Sequence, residues 1–208
     1  FDALSAENQA KVTNSDKLTK AIAKIEELKN PPVSEGYTFT VTSENASVKA
    51  GEDVVLTVTV DGLMNNVSTV QYAIQFDAES FTTSDAYDPT YTHPICLEGD
   101  WYDTLGKKPG TPAGRGLGWI SEPNIGIDGN ILNVMFIHTQ GRHIEEASDL
   151  WGKSTAIAGK LVFTAKKDVA DISKAFTLLD SIKYLVLEVH NGTQGVPQKV
   201  SAVQLPSS

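Results

Sequence analysis

The chain is expected to fold as an all-β sandwich preceded by a short helical segment. Two adjoining stretches predict the sandwich. In Asp53–Val60, Val55, Thr57 and Thr59 alternate with Leu56, Val58 and Val60. In Val67–Phe76, Val70, Tyr72, Ile74 and Phe76 alternate with Thr69, Gln71, Ala73 and Gln75. A period of two places one set of side chains in a core and the other in water. The outward set of the second strand carries small and amide side chains instead of charges, which suits contact with a partner. A third observation is the return of short apolar runs between turn signals along the rest of the chain, the pattern of a sandwich.

The segments follow in order. Residues 1–30 differ from everything after them. Ser5–Val12 and Ser15–Lys29 carry helix formers behind cap-like serines, and Leu18, Ile22, Ile25 and Leu28 share one helical face. Short isolated helices are marginal in water, so this stripe either lies on the sandwich or frays. Asn30-Pro-Pro-Val-Ser-Glu-Gly36 then ends the helix, because proline lacks an amide hydrogen and drives its predecessor to extended geometry. Residues 31–36 are therefore a linker and 37–208 the sandwich. Strands are expected over Tyr37–Thr42, Asp53–Val60, Val67–Phe76, briefly near Phe81, then over Gly116–Ser121, Ile131–Thr139, Ile157–Lys166, Phe176–Leu179, Ile182–Val189 and Lys199–Gln204. Asp128-Gly129, between Ile125-Gly-Ile and Ile131-Leu, marks a tight hairpin. Two insertions interrupt the rhythm: residues 85–115, rich in Pro, Gly and aromatics, and 140–153, where Ile144–Trp151 has the composition of a short helix.

Length and charge exclude several classes. At 208 residues, 40% of them hydrophobic, the chain can bury one full core with a small appendage left over. Lys plus Arg number 17 against 26 for Asp plus Glu, a net charge of −9, so a nucleic-acid backbone is repelled. Cys96 stands alone, which excludes an internal disulfide and a cysteine-built zinc site. No apolar run of the roughly 18 residues needed for a membrane span occurs, and Phe1-Asp-Ala-Leu is no signal peptide. The chain reads as a piece of a longer protein.

Candidate chemistry is sparse. Cys96-Leu-Glu-Gly-Asp-Trp-Tyr-Asp103 sets Glu98, Asp100 and Asp103 beside Trp101 and Tyr102, a combination that glycosidases use as an acid/base pair next to a sugar platform. Spacing along a loop does not set spacing across a scissile bond, however, and an acidic loop on an acidic protein is more simply a solvated one. The spaced aspartates of a calcium loop are missing. His138 and His143 flank Thr-Gln-Gly-Arg, while His93 and His190 stand apart, and no helical His-Glu-x-x-His spacing brings three together. No Gly-x-Ser-x-Gly elbow, phosphate-cradling loop or Cys-His pair is present. Non-catalytic function, with no catalytic residue, metal or cofactor, is the expectation. Trp119, between glycines in Gly116-Leu-Gly-Trp-Ile-Ser121, is either an exposed interface anchor or a core residue.

Lys49-Ala-Gly-Glu-Asp53 before an alternating strand, then a strand closing on Phe76-Asp77, resembles the opening of cohesin modules, the receptor domains of cellulosome scaffolds. Asp128–His138 and Ser154–Lys167 resemble the sixth and seventh strands of that family, and the likeness runs over residues 36 to 205. Phe1–Asn14 resembles the closing half of helical spacer repeats in surface proteins of Gram-positive bacteria. The cohesin resemblance implies a jelly-roll-like β-sandwich that binds a dockerin module, with calcium carried by the dockerin, in a secreted or cell-surface polysaccharide-degrading complex. It also implies a binding face built from Thr69, Gln71, Ala73, Trp119, Asn133, Met135 and His138. Gln71 stands where many members have an acidic or amide residue, and the 85–115 insertion is a departure from the common pattern. The other readings are a carbohydrate-binding module, with Trp101, Tyr102 and Trp151 stacking on sugar rings, and an adhesin or spacer module.

Overall fold

A computed structural model describes residues 36–83, 124–137, 143–146 and 148–206, together with Lys17 and Lys20. The chain divides into two units, Phe1–Val33 and Ser34–Ser208. Of the expected N-terminal helices only Lys17 and Lys20 are described, both helical; the rest lies outside the described residues.

Among the described residues of the second unit, eleven strands run in chain order: β1 Tyr37–Ser43, β2 Asp53–Asp61, β3 Val67–Phe76, β4 Phe81–Thr83, β5 Asn124–Asp128, β6 Ile131–Ile137, β7 Thr155–Ala165, β8 Phe176–Leu178, β9 Val186–His190, β10 Gly195–Pro197 and β11 Val200–Val203. They form two sheets, one ordered β11-β1-β2-β7-β4 and the other β10-β9-β3-β6-β5, with β8 also paired to β3. The all-β sandwich is therefore present, and most expected strands lie within a few residues of their places.

Alternation decides which side chains meet between the sheets. From the first come Phe39, Val41, Val54, Leu56, Val58, Val60, Leu161 and Phe163; from the second come Val70, Tyr72, Ile74, Phe76, Leu132, Val134, Phe136 and Leu187, all buried in one core. Aromatic rings fasten the layers together. Phe39 lies 6.4 Å from Tyr72 and Phe76 lies 5.2 Å from Phe163, while Phe176 packs against both Phe163 and Phe81. Each such side chain contributes about 1.5–3 kcal/mol by leaving water, so the inward phase of β3 is held by the whole core.

Several expectations are corrected. The strand expected over 182–189 begins only at Val186, because residues 181–184 form a turn. β10 lies where no strand is expected; it ends on Pro197 and sits at the sheet edge, where a missing amide hydrogen costs nothing. The helix expected over 144–151 is absent from the described residues there. Glu145 and Ser148 carbonyls instead accept from residues three ahead, as turns do, while Ile144 and Leu150 are buried in the core. The hairpin between β5 and β6 is present, one residue later than its signal. Asp128 pairs with Ile131, so Gly129 and Asn130 are the central residues, and Gly129 carries φ +63°. Positive φ at the first central position alone is the pattern of a type II′ turn. The expected strand 116–121 lies outside the described residues.

Candidate docking face

The outward side of the second sheet is built around β3. Antiparallel pairing sets Gln71 opposite Met135, Ala73 opposite Asn133 and Gln75 opposite Ile131. On the other flank it sets Thr69 opposite Glu188 and Gln71 opposite Val186. Directly paired residues share a face, so these positions form one surface.

Its polar groups are fixed by one another. Gln71 Nε2 donates to Asn133 Oδ1 at 3.0 Å and to the Lys183 carbonyl at 3.1 Å. Thr69 Oγ1 donates to Glu188 Oε2 at 2.8 Å. Ile131, Met135, Val186 and Tyr184 are half-buried between them. Apolar area interrupted by oriented amides is the make-up of a protein-binding patch and needs no ionisable group at its centre.

Ala73 keeps the expected phase but not the expected exposure. It is 0% exposed, flanked on its own strand by the longer Gln71 and Gln75, and its carbonyl accepts from Leu179 N at 3.0 Å. It is a floor under the face, not a contact surface. Trp119 and His138 lie outside the described residues. Counting by twos from Asn133 reaches Met135 and Ile137, and Thr69 pairs with Ile137.

Sequence reasoning missed three residues beside this face. β8 and β9 pair with the same edge of β3, at Ile74–Phe76 and Val67–Gln71, and the chain between them carries Ile182, Lys183 and Tyr184. Ile182 is 91% exposed. The Lys183 ammonium sits 4.8 Å from the Tyr184 ring centre. The adjacent Tyr184 hydroxyl, and more weakly Asp128, hold it above the ordinary lysine value. Asp180-Ser181 is turn chemistry and was the available signal.

Other candidate groups fall elsewhere. His190 is buried and its ring stacks on His143 at 4.7 Å, the planes 8° apart. Among the described residues no group of three or more His, Cys, Asp or Glu converges on one point. Trp151 packs against the core and is only half-exposed, so it forms no free sugar platform. Residues 96–103 lie outside the described residues.

No family model matches the chain, and no curated relative does. Solved structures do. The second type II cohesin module of the adaptor scaffoldin ScaA of Acetivibrio cellulolyticus matches with a TM-score of 0.51 and 16% identity, over 83% of this chain and 96% of that one. Type II cohesin A11 of Bacteroides cellulosolvens matches with a TM-score of 0.51 and 15% identity, over 82% and 97%. A type II cohesin–X-dockerin complex of A. cellulolyticus matches with a TM-score of 0.51 and 14% identity, over 82% and 97%. At this identity the likeness is one of fold: the chain is a cohesin-like β-sandwich.

Proposed function

We propose that this chain is a non-catalytic receptor module whose β9-β3-β6-β5 face docks a dockerin-bearing protein. The observation that carries the proposal is the face itself: a sheet surface whose polar groups are locked in the Gln71–Asn133 amide pair and the Thr69–Glu188 hydroxyl–carboxylate pair, with half-buried Ile131, Met135, Val186 and Tyr184 between them. The cohesin-like fold supports the choice of partner, since one structure of similar fold is a cohesin–dockerin complex. The dockerin brings its own calcium, and the assembly is a secreted or surface-attached polysaccharide-degrading complex of a Gram-positive bacterium. Trp119 and His138 belong to this face as proposals only. Half-exposed Met135 supplies apolar contact, and Gln71 and Asn133 orient the partner through hydrogen bonds.

Titration calorimetry of the full chain against type I and type II dockerin modules tests this. Met135→Glu is expected to weaken binding by on the order of 2 kcal/mol, because it buries an unpaired charge at the contact, with little change in melting temperature. Trp119→Ala should cost a similar amount of affinity if that residue is a hot spot, whereas a core tryptophan would lose about 3–5 kcal/mol of stability. Unaltered affinity in a folded Met135→Glu protein would rule this face out. Binding to a soluble glucan that disappears on Trp101→Ala would move the assignment to a carbohydrate-binding module.

A further inference from the structure

The turn between β8 and β9 is held outward by the topology. Both strands pair with one edge of β3, with Leu178 opposite Ile74 and Val186 opposite Gln71. Seven residues, Leu179–Leu185, must span the gap left by Tyr72 and Ala73. The three steps from Ile74 to Gln71 cover only about 10 Å of strand, so the surplus chain leaves the sheet. Its ends are anchored, because Leu178 and Leu185 are core residues. Its middle is pinned as well: the Ser181 carbonyl accepts from Tyr184 N and Leu185 N, each at 2.8 Å, and the Lys183 carbonyl accepts from Gln71.

On this pinned turn stands Ile182, the most exposed large apolar side chain among the described residues. An isolated exposed isoleucine is ordinary, but here it adjoins half-buried Tyr184, and the loop that carries it is bonded to Gln71 at the centre of the docking face. Beside it is Lys183, the one lysine or arginine in β3, β6, β8, β9 and the Leu179–Leu185 turn. In a chain of net charge −9 that cation is locally distinctive, and the Tyr184 ring gives it a preferred position.

We propose that this turn is the specificity rim of the docking face: Ile182 enters an apolar recess on a helical partner while Lys183 pairs with a carboxylate next to that recess. The inference rests on the docking reading above and adds to it what the partner must carry, an acidic residue beside an apolar gap on an α-helix. A turn whose backbone is already held loses less chain entropy on association. A lone cation on an acidic protein selects partners by excluding those that present a positive charge there.

The test is calorimetry of the full chain with calcium-loaded type I and type II dockerin modules, alongside thermal melts. For the dockerin that binds, Ile182→Ser is expected to weaken affinity about tenfold, and Lys183→Glu to weaken it more than Lys183→Met does, all three variants melting with the wild type. Unchanged affinity in Ile182→Ser and Lys183→Glu, with binding still lost on Met135→Glu, overturns the rim and leaves the docking face standing. Equal losses for Lys183→Met and Lys183→Glu overturn the carboxylate pairing. A lowered melting temperature in Ile182→Ser shows a structural turn and overturns the inference too. If no dockerin binds the wild type, both readings fall together.

Discussion

Ala73 and Gly62 illustrate how single positions answer to more than their strand phase. Ala73 points away from the core, yet no water reaches it. Ala73→Arg is therefore expected to destabilise the fold itself, by about 1–3 kcal/mol for overpacking, and a chemical denaturation midpoint unchanged from wild type would contradict that. Gly62 has φ +140°, and a Cβ there would overlap the Tyr37 ring. The Tyr37 hydroxyl is tied down by donating to the Leu63 carbonyl at 2.6 Å, so the ring cannot simply retreat. Gly62→Ala should cost about 2 kcal/mol through strain and clash combined, read as a lower urea midpoint with an unchanged slope. Three carboxylates are held below their usual range: Asp77 by the Ser80 hydroxyl and the Glu79 amide, Asp168 by Lys49 and the Ala50 amide, and Asp171 by Ser173 and Lys174. A depressed folded value means that stability is present above the unfolded value of about 3.9 and is lost as pH falls through the lower folded one. Melting temperature should thus be flat near neutrality and drop below about pH 4, with the three carboxyls titrating late by NMR.

Among the elements, the β5–β6 hairpin and the β8–β9 connection contrast local with non-local control. The hairpin is legible in the sequence because glycine at a tight turn is a property of the backbone alone. Its one-residue displacement follows from Asn130, which bonds β3 from the turn: Asn130 Nδ2 donates to the Phe76 carbonyl at 2.9 Å, and its own carbonyl accepts from Phe76 N. A Cβ at Gly129 would meet nothing within 4 Å, so Gly129→Ala is expected to cost only the positive-φ penalty, about 1 kcal/mol. A larger loss would mean that the substitution also breaks the Asn130 bonds to Phe76. The β8–β9 turn has the sequence pattern of a strand because Ile182 and Tyr184 continue the alternation of Val186. Nothing within that segment reports that β8 already occupies the next positions along the edge of β3.

For the whole molecule, Leu18, Ile22 and Ile25 are expected either to cover the sandwich or to fray, and a truncation decides between these. Removing residues 1–30 is expected to leave a cooperative melt, since the 36–206 region holds one continuous core; a molten or insoluble product would mean that the helical segment completes it. Chelator treatment should leave the melting temperature unaltered, and common polysaccharides should show no turnover. Hydrolysis abolished by Glu98→Gln or Asp100→Asn would overturn the non-catalytic reading.

Local pattern alone suffices for the inward set of β3, its outward Gln71, and the all-β class, because period-two alternation records burial residue by residue and needs no knowledge of neighbours; Asn133 and Met135 come from the resemblance to cohesins. The rest depends on how distant segments meet. Gln71 reaches Asn133 only through the antiparallel register of β3 with β6, 62 positions apart. Ala73 is buried, Trp151 leans on the core, and Ile182 projects, although alternation would treat each of them as an ordinary strand or helix residue. Exposure at such positions depends on which distant segments pack around them, and period-two alternation does not record that.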